Sequence, residues 1–197
     1  MANTHFSGPV LFSAARPTLE NLNIGSWPDQ TRYMDDFTGV TLDNTNDWTV
    51  LKDSSASAAI QADALNGVVD LTSQATTDND GSSIQGNEIW GLPSTAGQKL
   101  YFEARFQMSD VDQMDMFIGV TENFASAPEN IFTASNRIGF QIDDGDATPH
   151  LITESGDSET DTTLSGTTHD LSDATDVTVS FVATKGTSTD NVRFYIN

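Results

Sequence analysis

With 197 residues, 37% of them hydrophobic, the chain has enough apolar material to bury a core as one β domain, which excludes wholesale disorder. Asp and Glu number 29 against 8 Lys and Arg, and the formal charge of −21 repels phosphate-rich and anionic surfaces, so neither nucleic acid nor membrane is an expected partner. The lack of cysteine closes disulfide, zinc-thiolate and thiol-nucleophile chemistry and leaves stability to packing, assisted by oligomerisation.

The opening Met1-Ala2-Asn3-Thr4-His5-Phe6 has neither a basic n-region nor an apolar h-region. No stretch approaches the roughly 18 apolar residues of a membrane span, so the chain reads as made and kept in the cytosol. Residues 1–33 are punctuated by Gly8-Pro9, Arg16-Pro17, Gly25 and Trp27-Pro28 and sustain neither a 2.0 nor a 3.6 period, which predicts an extended N-terminal arm. Its Phe6, Val10, Leu11, Phe12, Leu19, Leu22 and Trp27 need cover and are the candidate partner-binding residues, lying on the arm's own domain or on a neighbour.

From residue 34 to 197 the pattern becomes that of half-buried strands. Weaker segments come first, at Trp48–Lys52, Ser57–Ala62, Val68–Thr72 and Ser82–Gln85, separated by turn signals such as Asn66-Gly67 and Asp78-Asn79-Asp80-Gly81. Leu100–Met108 is the clearest strand, with Phe102, Ala104, Phe106 and Met108 on one face and Tyr101, Glu103, Arg105 and Gln107 on the other. Met114–Thr121 (Met114, Met116, Ile118, Val120 inward), Arg137–Asp143 (Ile138, Phe140, Ile142) and Asp176–Thr184 (Val177, Val179, Phe181, Ala183) repeat the alternation. Thr148–Glu154 and Val192–Ile196 complete the set, and the one helical turn expected falls within Thr121–Ala134. So many short strands with frequent turns predict an all-β fold, an antiparallel two-sheet sandwich of jelly-roll type. The final Asn191–Asn197 reads as the first half of a hairpin, so the chain is expected to continue past Asn197 in its natural form.

Chemistry is sparse along this frame. The three histidines are His5, His150 and His169, and no serine sits in a Gly-x-Ser-x-Gly context, so no nucleophile-base pair is legible. Glu103 is the single carboxylate on the strongest strand, and Arg105 on the same face is expected to pair with it and keep it ionised rather than free to donate a proton. Asp78, Asp80, Asp143, Asp144 and Asp146 gather hard oxygen ligands around two Gly turns, which makes them candidate Ca²⁺ ligands, although Asp, Asn and Gly are also the ordinary residues of tight turns. No other cofactor is expected. Trp90, in Glu88-Ile89-Trp90-Gly91-Leu92-Pro93, is the candidate glycan-binding ring, with Tyr101 and Phe117 on outward strand faces.

The series Asn66-Gly67-Val68-Val69-Asp70-Leu71, Leu100 to Phe106, Met116-Phe117-Ile118-Gly119-Val120, Arg137-Ile138-Gly139-Phe140 and Val192 to Asn197 resembles concanavalin A-like, laminin-G-like jelly rolls over roughly residues 36–197. The opening Met1 to Val10, followed by an arm and such a domain, resembles head-decoration and other minor capsid proteins of tailed bacteriophages, particularly of marine hosts. That resemblance implies a non-enzymatic virion protein. It would be made in the host cytoplasm, bind the major capsid protein and neighbouring copies of itself at the head surface, and form a homo-oligomer there. A carbohydrate-binding or host-adhesion module, Ca²⁺-dependent if the acidic loops hold the ion, is the alternative carried by the same fold.

Overall fold

The structure of the protein, a computed structural model, describes residues 33, 35–53, 55–62, 64, 67–73, 81–86, 94–123, 127–156, 158–164 and 170–197. The arm predicted for residues 1–33 lies outside the described residues apart from Tyr33, as do Asp78, Asp80 and Trp90.

The described chain is almost entirely β, and every strand pairing is antiparallel. In order the strands are β1 (Trp48–Lys52), β2 (Ser57–Ile60), β3 (Val69–Thr72), β4 (Ser82–Gly86), β5 (Lys99–Phe106), β6 (Met116–Thr121), β7 (Asn136–Asp143), β8 (Asp146–Ser155), β9 (Glu159–Thr163), β10 (Val177–Thr184) and β11 (Asn191–Ile196). A 3₁₀ turn at Pro128–Thr133 falls within the segment where a helical turn is expected. The β2–β3 hairpin is inserted between β1 and β4, which pair with each other, while β6-β7-β8-β9 runs as a meander and β11-β10-β5 forms a three-stranded sheet.

Alternation dictates how the last two sheets meet. Leu100, Val177, Val179, Phe181 and Ala183 from the three-stranded sheet bury against Ile138 and Phe140 of β7, with Phe102, Phe106, Phe194, Ile118 and Leu151 packed around them. Phe102 stacks on Phe181 and Phe140 meets Phe194 edge-on, both at 5.2 Å between ring centres. Two sheets therefore pack face to face, sandwich-like, and each fully buried Phe contributes about 2–3 kcal/mol of apolar burial. Met108, Val111 and Ile142 form a second cluster, with Phe106, Met114 and Met116 against it.

Two expectations are corrected. Ser180 and Val182, on the supposedly wetter face of β10, are buried because β10 is the central strand: the register sets Tyr101 and Arg193 on either side of Val182, and Glu103 and Tyr195 on either side of Ser180. Arg105 pairs not with Glu103 but with Asp176, at 2.5 Å. Asp176 immediately precedes Val177, which lies opposite Phe106, so it stands diagonally across from Arg105 on the neighbouring strand. Glu103 instead accepts a hydrogen bond from the Tyr101 hydroxyl.

Where the described chain begins, Trp48 is clasped. Its ring meets Tyr33 edge-on at 5.8 Å and Phe37 at 5.5 Å, and its indole N–H donates to Asp35 Oδ2 at 2.6 Å. Phe37 takes a left-handed φ of 51° to make this corner, a conformation that costs about a kcal/mol or more for a non-glycine residue. Among the described residues no helix is long and apolar enough to cross a membrane.

Candidate functional site

The outward face of the four-stranded sheet carries two polar clusters, one around Arg137 and one around His150. Period-2 alternation sends Ile138, Phe140 and Ile142 of β7 inward and so turns Arg137, Gly139, Gln141 and Asp143 outward. Register then aligns Arg137 with Glu154 and Glu159, Gly139 with Ile152 and Asp161, and Gln141 with His150 and Thr163 across β7, β8 and β9.

The first rung is an ion triad around a buried guanidinium. Arg137 Nε donates to Glu154 Oε2 at 2.7 Å, Nη2 donates to Glu159, and Nη1 donates to Gln141 Oε1 at 2.9 Å and to the Ile131 carbonyl at 3.4 Å. The guanidinium also lies 5.8 Å from the centre of the Phe117 ring. With 5% of its side chain exposed, Arg137 is a desolvated charge, and two carboxylates plus two neutral acceptors compensate it.

Beneath the middle of the face, Gly119 and Gly139 lie opposite each other on β6 and β7. The Phe117 ring crosses Gly139 so closely that a Cβ there would sit 2.7 Å from Phe117 Cζ and 2.5 Å from the Ile118 carbonyl oxygen. Phe117, considered from sequence as an outward ring for a glycan, is thus packed over the sheet and under Arg137.

The second cluster centres on His150. Its Nδ1 lies 2.9 Å from Asp161 Oδ2 and 3.4 Å from Thr163 Oγ1, and its Nε2 lies 3.8 Å from both Asp143 Oδ2 and Asp146 Oδ2. Burial pulls the imidazole pKa down, but the hydrogen bond and charge of Asp161, reinforced by Asp143 and Asp146, outweigh it and leave the pKa raised. The geometry is not a nucleophilic triad. Asp161 and Thr163 approach the same nitrogen, whereas a triad needs the hydroxyl on one ring nitrogen and the orienting carboxylate hydrogen-bonded to the other.

Asp143, Asp144 and Asp146 form the β7–β8 turn around Gly145, whose φ is 82°. Their polar groups are engaged by protein partners: Gln141 Nε2 donates to Asp143 at 2.7 Å, the Thr148 amide donates to Asp146 at 2.9 Å, and the Asp144 amide donates to Asp115 at 2.7 Å. The Thr148 amide and hydroxyl hold the Asp146 carboxyl below its usual range. Among the described residues no group of three or more His, Asp or Glu converges as a metal site. The structure brings Asp143 and Asp146 to His150.

Arg137, Glu154, Glu159 and Asp161 are absent from the sequence-derived candidates. Their signal was the polar half of each alternation, Arg137-x-Gly139-x-Gln141-x-Asp143 and His150-x-Ile152-x-Glu154, but only the strand register reveals the shared rungs.

The described chain is nearly all β, with antiparallel sheets, and its Arg137 cluster is internally paired. Comparisons with family models, with curated proteins and with solved structures find no match to it.

Proposed function

We propose that this chain is a jelly-roll β-sandwich with an N-terminal arm that acts as a non-catalytic virion structural protein, a capsid decoration or cement protein bound to the outside of a bacteriophage head. The observation that carries the non-catalytic part is the commitment of polar groups to one another. Arg137 binds two carboxylates, a side-chain amide and a carbonyl, and so cross-links β7, β8 and β9 instead of presenting reactive groups. The capsid part rests on the sequence resemblance of residues 1–10 and of the strand series. An acidic exterior supports it too, because it keeps a free decoration subunit soluble and away from nucleic acid before docking. Arm residues Phe6, Val10, Leu11, Phe12, Leu19, Leu22 and Trp27 supply the apolar contact area with the major capsid protein in this reading.

Cosedimentation with undecorated heads tests it, comparing the full chain with a form lacking residues 1–33. Saturable, arm-dependent binding that raises the heads' resistance to heat is the expected result. No binding to any head preparation overturns the reading and brings the glycan-binding alternative forward, to be tested on a glycan array with and without Ca²⁺.

A further inference from the structure

We draw no further inference here: the strongest candidate, the side-chain cluster between the β7–β8 turn and β9 where His150 meets Asp143, Asp146 and Asp161, belongs to the site already described and has beside it, among the described residues, no second feature that points to a ligand.

Discussion

The Arg137 and His150 clusters cross the same sheet face two rungs apart, yet they hold the strands by different means. Arg137 is always charged, nearly sealed from water, and bonded on every side. His150 changes charge near neutrality, and the Asp residues around it stand half in solvent. The difference is one of titration: a permanent cation with carboxylates of its own stitches the sheet at any ordinary pH, whereas His150 adds its positive charge only while protonated and keeps a single ring N–H to donate when neutral.

Removing the guanidinium gives the largest expected effect. Arg137→Ala leaves Glu154 desolvated with no cation and is expected to cost about 3–5 kcal/mol in urea unfolding, while Arg137→Met with Glu154→Leu recovers most of that loss. A loss below about 1 kcal/mol from the alanine variant sinks the account of a buried, paired guanidinium.

Next comes the glycine floor between the clusters. Gly139→Ala forces a Cβ into the Phe117 ring and the Ile118 carbonyl and is expected to cost about 1–3 kcal/mol. If Phe117→Ala in the same chain fails to relieve part of that cost, the ring is not what crowds the site.

The pH dependence of His150 separates the clusters directly. Its folded pKa lies above its ordinary 6.5, so the folded state binds the proton more tightly than the unfolded chain. The resulting stabilisation is fully present below pH 6.5 and is lost as pH rises through the raised folded value. Thermal unfolding is expected to show a lower Tm at pH 8.5 than at pH 6, with this difference reduced by His150→Gln and left intact by changes at Arg137. An unchanged pH profile in His150→Gln contradicts the assignment.

The smallest effect is expected at an exposed ion pair. Arg105 and Asp176 lie at 2.5 Å but with 64% and 56% of their side chains exposed, so Arg105→Ala is expected to cost no more than about 1 kcal/mol and to cost less in high salt. A loss rivalling that of Arg137→Ala would show that burial is not what sets the two arginines apart.

Much of the fold could be read from the chain because β5, β6, β7 and β10 alternate apolar with polar residues, and their inward sets recur in the observed cores. The strand β9 could not, since Glu-Thr-Asp-Thr-Thr buries nothing and is exposed throughout. Glu159 and Asp161 connect it instead to Arg137 and His150 on other strands. The candidate site was hidden for the same reason. Residues 137, 154 and 159 meet through register, and register depends on where the β7–β8 turn and the bulge between Gln141 and Asp143 place each strand. Glu103 with Arg105 shows the converse error, a pair close in sequence that the structure separates in favour of Asp176.

The corner at Trp48 has a mechanical consequence. Tyr33, Asp35 and Phe37 fasten the chain to the first residue of β1, so tension applied at Tyr33 reaches that indole before the β1–β4 ladder. Behind it, Trp48 lies opposite Gly86 at the end of the β1–β4 ladder, so a pull across the ladder would peel its bonds one pair at a time rather than shear them together. The indole clasp, a hydrogen bond and two ring contacts, is therefore expected to yield before the β1–β4 ladder when the chain is pulled at Tyr33.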